Sequence, residues 1–248
     1  MSSGATASGV STTPIVALDV PTAASGLALV TELGDACRFY KVGNELFTAA
    51  GPSVVTAIRE MGSEVFLDLK FHDIPNTVAG GVRNGAKLGA SLMTVHASGG
   101  LAMLRAATDA ARDAGDGCRI LAVTVLTSLT ADAVAGAWGR SGALDIQKEV
   151  LRLAELAAQA GIHGVVCGGL EARAVRDQFG DRLSVLVPGV RAAGGDAQDQ
   201  ARVVTPGEAS AAGARYVVVG RMVTAAPDRR QAMLAVGREL ARGTAVAP

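Results

Sequence analysis

The chain has 248 residues, 23 basic and 23 acidic side chains, and 49% hydrophobic residues. This length and apolar content are enough for a core that needs no disulfide or metal. The balanced charge argues against a disordered chain and against a nucleic-acid binder held by bulk charge. Aromatic residues make up only 3% of the chain, which argues against stacking platforms for bases.

The three cysteines form no CxxC or CxxH pair, so the sequence predicts neither a disulfide framework nor a zinc site. The N-terminal stretch has no basic segment followed by an apolar one, and no run of 18 apolar residues occurs anywhere. We therefore expect a cytoplasmic protein with no signal peptide and no membrane span. We expect a flexible tail over residues 1–13 and a single domain over residues 14–248.

Eight short apolar runs recur along the chain, and segments of helical length separate them. The ends of successive runs lie 22 to 40 residues apart, which fits one strand plus one helix per repeat. The runs are continuously apolar, as expected of parallel strands that are buried on both faces. The residues that mark these runs, at or near their ends, are Asp19, Lys41, Lys70, His96, Thr127, Cys167, Arg191 and Arg221.

The segments between the runs carry helix signals. Apolar residues repeat on one stripe over 144–161, and Thr205-Pro206-Gly207-Glu208 has the spacing of a capping box. Eight strand–helix units predict an α/β fold, a (β/α)8 TIM barrel. An open doubly wound sheet is less favoured, because the first run is not followed by a GxGxxG motif. Glycines that we expect to end helices in the left-handed conformation are Gly34, Gly62, Gly89, Gly115, Gly161, Gly180 and Gly213.

Charged residues interrupt the apolar runs at their C-terminal ends, where a barrel carries its active site. Strand alternation places Asp68 and Lys70 on one face, so the leucines between and before them pack on helices. One interpretation is a structural ion-pair network. The desolvation of five converging charges, however, costs more free energy than their ion pairs return as stability, so a functional site is favoured. Nearby carboxylates favour the protonated form of Lys70, which suits a proton donor. The five charges are Asp19, Lys41, Asp68, Lys70 and Asp73.

The last two runs have a different character, because each leads into glycine and arginine. Gly189 and Arg191 follow the seventh run, and Gly220 and Arg221 follow the eighth. Glycine N–H groups and an arginine at these positions predict a phosphate monoester site. The loop over 192–200, which ends at Gln200, is either a lid or a surface loop.

Other polar residues are less specific. His96 ends the fourth run as a possible acid or base, although a structural hydrogen bond is the favoured interpretation. No metal-ligand spacing links His72, His96 and His163, so we expect no metal site. Thr127 either contacts ligand or caps a turn, and the absence of GxSxG and P-loop motifs sets aside hydrolase triads and nucleoside triphosphates.

Eight separated motifs give the chain a specific resemblance from about Pro14 to the final helix. The sequence closely resembles the orotidine 5′-monophosphate decarboxylase family, and FLDLKFHDIPNT is the most specific match. The motifs are VALD (16–19), KVGNELF (41–47), FLDLKFHDIPNT (66–77), TVHASGG (94–100), AVTVLTS (122–128), VPGVR (187–191), GDAQDQ (195–200) and VVGRMV (218–223).

The resemblance implies decarboxylation of orotidine 5′-monophosphate to UMP in pyrimidine synthesis, with no cofactor and no metal. It implies that Lys70 protonates carbon 6 of the pyrimidine and that Asp68 lies beside the substrate carboxylate. It also implies that Lys41 and Asp19 complete the alternating array of catalytic charges and hold the ribose hydroxyls. It also implies a homodimer with shared sites. In this dimer, Asp73 and Thr77 reach the neighbouring site. Arg221 and the Gly220 backbone bind the phosphate, Gln200 bridges phosphate and base under a closing loop, and Arg191 and Thr127 complete the ligand shell.

Two alternatives remain open at this point. One is a magnesium-dependent sugar-phosphate decarboxylase or synthase on the same barrel, against which the FHDIPNT continuation speaks. The other is a barrel that only binds a phosphorylated ligand, in which the charges around Lys70 would have no use. The segment over 128–145, which contains Trp138, matches the resemblance less well and has no assigned role.

Overall fold

The computed structural model describes residues 11–115, 117–141, 144–191 and 203–246. Within them, eight parallel strands close into a barrel in sequence order, which confirms the predicted (β/α)8 architecture. The strands are β1 (Thr13–Ala17), β2 (Phe39–Gly43), β3 (Glu64–Phe71), β4 (Leu92–His96), β5 (Arg119–Val123), β6 (Gly164–Val166), β7 (Ser184–Val187) and β8 (Tyr216–Val219).

Helices follow the strands and cover the outside of the barrel. The helix predicted over 144–161 is confirmed as Ile146–Gln159, and Asp145 caps its N-terminus by accepting from the Lys148 N–H. The helices are α1 (Ala23–Leu33), α2 (Asn44–Ala50), α3 (Ser53–Glu60), α4 (Pro75–Lys87), α5 (Gly100–Asp113), α6 (Ala131–Ala137), α7 (Ile146–Gln159), α8 (Gly169–Phe179), α9 (Pro206–Ala211), α10 (Arg221–Thr224) and α11 (Arg229–Val246).

Two local predictions about helix ends are confirmed. The Thr205 hydroxyl accepts from the Glu208 N–H while the Glu208 carboxylate accepts from the Thr205 N–H, which is a complete capping box. All seven glycines expected to end helices have a positive φ, between 50° and 90°. Residues with a Cβ rarely adopt this conformation, so glycine sets where each helix gives way to the next strand.

The core has two layers that follow from the alternation of side chains along the strands. Ten residues, Phe66 and Leu121 among them, fill the inside of the barrel. A larger cluster, which includes Leu67, packs the outer faces of the strands against the helices, and Leu69 packs against it. The predicted outward orientation of these two leucines is confirmed, and it leaves the intervening Asp68 to face the interior.

Several strands end before the residues that mark the ends of the predicted runs, β5 and β1 among them. The fifth run was predicted to continue to Thr127, but β5 ends at Val123. This prediction is wrong because a turn, closed by the Leu129 N–H donating to the Leu126 carbonyl, already contains Thr127. Asp19 likewise lies two residues beyond the end of β1 at Ala17.

The barrel closes through β1 and β8, where Thr13 pairs with Tyr216. Thr12 is buried, and its hydroxyl donates to the Ala214 carbonyl oxygen at 2.7 Å. Thr12 and Thr13 therefore belong to the barrel rather than to the tail predicted over residues 1–13, most of which lies outside the described residues. No helix in the part of the chain that the structure describes is long and apolar enough to cross a membrane.

Candidate active site

A cavity of about 630 Å³ opens at the C-terminal ends of the strands. Its floor is the apolar inside of the barrel, where Phe66 and Val218 contribute side chains. The cavity therefore combines a low-dielectric floor with a charged rim, which strengthens electrostatic interactions at its base. Eight of the eleven predicted site residues line it, namely Asp19, Lys41, Asp68, Lys70, Thr127, Arg191, Gly220 and Arg221.

Asp68 and Lys70 form the deepest ion pair of the cavity. The Lys70 Nζ donates to Asp68 Oδ2 at 2.8 Å, and the Asp68 side chain is only 10% exposed. The other carboxylate oxygen, Oδ1, accepts from the Thr94 hydroxyl at 2.8 Å. Both oxygens of Asp68 are thus held in place, and the ammonium of Lys70 is fixed at the edge of the cavity.

Lys41 and Asp19 form a second ion pair on the neighbouring strands. The Lys41 Nζ donates to Asp19 Oδ1 at 2.8 Å, and the lysine side chain is 12% exposed while the aspartate is 57% exposed. A Cβ at Gly43 would lie 2.8 Å from the Lys41 Nζ, so the absence of a side chain at Gly43 makes room for the ammonium. Two lysines and two aspartates consequently alternate along one wall of the cavity.

The backbone of β3 departs from regular pairing at the residues that carry these charges. Leu67 pairs with Met93 and Phe71 pairs with Val95, so three residues of β3 lie opposite Thr94 alone. Within this bulge Lys70 has a φ of 51°, a conformation unfavourable for a residue with a Cβ. Such strained residues cluster at active sites, where the surrounding structure holds them.

A second part of the cavity wall comes from the residues that follow β7 and β8, and β8 is paired with β1. Gly189 has a φ of 68° and turns the chain after Pro188 toward Arg191, whose N–H donates to the Val204 carbonyl at 3.0 Å. Arg191 and Arg221 both line the cavity on this side. Two arginines on this part of the wall make it suitable for an anionic group such as a phosphate.

Two predicted site residues that the structure describes, Asp73 and Thr77, do not line the cavity. Asp73 and Thr77 are exposed on the chain that leaves β3 and enters α4, and the Asp73 carboxylate accepts from the Ile74 N–H at 2.6 Å. The structure therefore brings four of the five predicted charges together within one chain, and Asp73 is outside the group. Gln200 and the rest of the loop over 192–200 lie outside the described residues.

The histidines lie at two ends of the barrel. The rings of His72 and His96 are 5.4 Å apart beside Lys70, and burial, with the nearby charges of His72 and Lys70, lowers the pKa of His96. His96 is therefore neutral at neutral pH. Burial, with Arg119 and Arg215 nearby, lowers the pKa of His163 to about 4 at the far end of the barrel. In the described ranges, no cluster of His, Cys, Asp and Glu could hold a metal ion.

The segment over 128–145, which had no assigned role, is tied to α7 by ion pairs. Arg140 donates to the buried carboxylate of Glu149 at 3.0 Å, and its guanidinium lies 5.6 Å from the centre of the Trp138 ring. Arg152 also binds Glu149, and these hydrogen bonds and charges lower the pKa of Glu149. Ser128, the first residue of this segment, lines the cavity, so the Arg140–Glu149 pair anchors a segment that continues the cavity wall.

Comparison with known proteins identifies the family of this chain. The model described as orotidine 5′-phosphate decarboxylase / HUMPS family matches residues 12–236. The chain belongs to this family. The resemblance recognised from the eight motifs is thereby confirmed.

Curated relatives in the orotidine 5′-phosphate decarboxylase family are similar over nearly the whole chain. The orotidine 5′-phosphate decarboxylase of Moorella thermoacetica is 48% identical over 231 residues, covering 91% of each chain. That of Alkalilimnicola ehrlichii is 49% identical and covers 92% of this chain and 95% of the relative. The crystal structure of orotidine 5′-phosphate decarboxylase from Lactobacillus acidophilus is 36% identical, with a TM-score of 0.82 over 92% of this chain and 99% of that one.

Sequence reasoning missed three residues of the site. Thr94 was passed over although it is a polar residue in the apolar run of β4, two positions before His96 and so on the same face. Glu45 lines the cavity from α2 and lies within the motif KVGNELF, which does not by itself assign this residue to the site. The role of Gly43 depends on a side chain that folds back from its own strand, which only the coordinates reveal.

Proposed function

We propose that this protein decarboxylates orotidine 5′-monophosphate to UMP and carbon dioxide, as the names of its relatives state for those proteins. The single observation that carries the proposal is the pairing of Lys70 with the buried Asp68 in the lining of a cavity that also holds two arginines. A carboxylate-bearing ring and a phosphate are the two ends of this substrate, and the cavity offers a matching site for each.

In this proposal Lys70 is the proton donor. Loss of carbon dioxide breaks the bond between C6 and the carboxylate and leaves the electron pair on C6, where ring conjugation stabilises it poorly. An ammonium fixed in advance stabilises the developing charge without reorganisation, and it then transfers its proton to C6. The 2.8 Å contact with Asp68 and the strained backbone support this role, because both restrict where the Lys70 ammonium can lie.

The remaining site residues are proposed to bind and position the substrate. Lys41 and Asp19 offer a donor and an acceptor for the ribose hydroxyls on the wall beside Lys70. Arg191 and Arg221 provide charge-assisted hydrogen bonds for the phosphate. The Gly220 N–H would add a donor there, Thr127 would contact the base from the β5 side, and Gln200 would bridge phosphate and base.

We also propose that the active unit is a homodimer with shared sites. Asp73 and Thr77 are exposed, and the side chain between them, Ile74, is 67% exposed. A large apolar residue between two polar ones at the rim of the barrel suits an interface rather than a free surface. Asp73 lies only three residues after Lys70, so it is near the rim of the cavity. In a dimer that forms at this rim, the exposed Asp73 carboxylate would extend into the partner's site.

The experiment that tests the function follows the ultraviolet absorbance of orotidine 5′-monophosphate with purified protein in excess EDTA. We expect turnover that resists the chelator and disappears in Lys70→Ala. Lys148→Ala is the matched control, because this lysine lies on α7 with its side chain 84% exposed, and we expect it to keep the activity. Turnover only of sugar phosphates, and only with magnesium, would establish the alternative enzyme instead.

A second test concerns the interface. Ile74→Arg places a charge at the exposed apolar residue and should convert the dimer to a monomer in sedimentation equilibrium, with a parallel loss of activity. A parent that is monomeric at all concentrations and fully active would refute the shared site.

A further inference from the structure

We propose that Thr94 is a positioning residue that sets the geometry of the Asp68–Lys70 pair. The proposal rests on the decarboxylase function proposed above and adds to it a residue that never contacts the substrate. Thr94 is 1% exposed, lies on β4 inside the barrel and does not line the cavity. Its single hydroxyl makes two hydrogen bonds, and both go to residues of the catalytic pair.

The first hydrogen bond replaces a missing bond of the sheet. Three residues of β3 lie opposite Thr94 alone, so the backbone of this stretch has lost its regular partners on β4. The Lys70 N–H donates instead to the Thr94 hydroxyl at 2.9 Å. A backbone donor in such a bulge needs a partner, because an unpaired buried N–H is destabilising.

The second hydrogen bond fixes the carboxylate. The Thr94 hydroxyl donates to Asp68 Oδ1 at 2.8 Å, while Oδ2 accepts from the Lys70 Nζ at 2.8 Å. A hydroxyl that accepts from one residue and donates to the other has a fixed orientation. Thr94 therefore links the backbone of Lys70 to the carboxylate that holds its side chain.

The two hydrogen bonds together explain how the strained conformation persists. Lys70 has the only positive φ among the described residues other than glycine. A residue in this conformation relaxes unless the surroundings hold it, and the Thr94 hydroxyl is the side-chain contact that its N–H makes. Without that hydroxyl, the Lys70 ammonium should move away from the position where it meets the reacting carbon.

The test compares Thr94→Val, which keeps the shape and removes the hydroxyl, with Thr94→Ser, which keeps the hydroxyl. We expect Thr94→Val to lower kcat about 100-fold with KM close to the parent value, because a displacement of about 1 Å at the reacting group has that effect. We expect Thr94→Ser to restore kcat to within a few-fold of the parent. If the valine variant folds poorly, Thr94→Ala is the substitute, because it also removes the hydroxyl but adds no methyl group to the core.

Thr124→Val is the matched control. Thr124 is 3% exposed in the barrel, and its hydroxyl donates to the Val166 carbonyl at 2.8 Å, away from the charged pair. The same loss of a buried hydroxyl should leave kcat near the parent value there. Equal losses in Thr94→Val and Thr124→Val, or a serine variant as slow as the valine variant, would overturn the positioning role.

Crystal structures of the parent and of Thr94→Val give a readout that does not depend on turnover. We expect the Lys70 Nζ to leave the 2.8 Å contact with Asp68 in the variant. An unchanged contact and an unchanged Lys70 φ would overturn the proposal. A parent that fails to decarboxylate orotidine 5′-monophosphate would refute the proposed function, and the two crystal structures would still decide the role of Thr94.

Discussion

Glycine in a strand is usually less stable than alanine, but at position 70 we expect the opposite order. Both variants lose the ammonium and its 2.8 Å contact with Asp68, so that loss cancels when the two are compared. What remains is the backbone, whose φ of 51° suits glycine and not alanine. We therefore expect Lys70→Gly to be more stable than Lys70→Ala, with both inactive.

The magnitude follows from two opposing contributions. A residue with a Cβ in the left-handed region costs about 1–2 kcal/mol, whereas the greater freedom of glycine in the unfolded chain costs about 0.5–1 kcal/mol. Taken at their midpoints, these two contributions favour Lys70→Gly by roughly 0.8 kcal/mol. For a chain of this length, that corresponds to a Tm higher by about 1–4 °C.

The measurement is urea unfolding, followed by circular dichroism at one fixed protein concentration. The neighbouring Leu69 is the matched control, since its φ is not positive. There Leu69→Ala should be more stable than Leu69→Gly by about 0.5–1 kcal/mol. If Lys70→Ala proves as stable as Lys70→Gly, the left-handed strain at this position is not real and the reasoning fails.

Three further changes have defined outcomes. Arg221→Ala should weaken UMP binding about 30-fold, through the loss of about 2 kcal/mol of charge-assisted hydrogen bonding, and should raise KM and lower kcat. Uridine binding should stay at the parent value, and an equal loss for both ligands would contradict a phosphate contact. Because burial lowers the pKa of His163 to about 4 from 6.5, stability should decline as pH falls from about 6.5 toward 4. The urea midpoint of His163→Gln should fall less than that of the parent over this range. Gly164→Ala should lose about 1–3 kcal/mol, because the new Cβ overlaps the Ser184 carbonyl, whereas Gly136→Ala meets no atom within 4 Å and should gain about 0.5–1 kcal/mol.

The sequence was sufficient to predict features that follow from local rules. The glycine after each helix is fixed by the left-handed turn that the backbone requires, so Gly34 and Gly161 could be placed without coordinates. Alternation along β3 likewise determined that Asp68 faces inward and Leu67 outward. Both inferences need only the neighbouring residues.

The features that escaped prediction depend on contacts between distant segments. The bulge in β3 changes the register against β4, and no pattern in either strand alone encodes a change in their pairing. The bonds of Thr94 follow from that bulge, since a regular ladder would have used the Lys70 N–H elsewhere. Asp73, which the charge pattern alone grouped with Lys70, is exposed where the chain leaves β3 for α4.

Closure of the barrel between β1 and β8 has a consequence for a chain still being synthesised. The lysine–aspartate wall and Thr94 are complete once β4 has been made, whereas Arg221 comes directly after β8. Until β8 pairs with β1, the outer strands of the growing sheet present unpaired N–H and C=O groups, to which other chains can add. The nascent protein therefore acquires its last cavity arginine and loses its exposed sheet edges in the same late event.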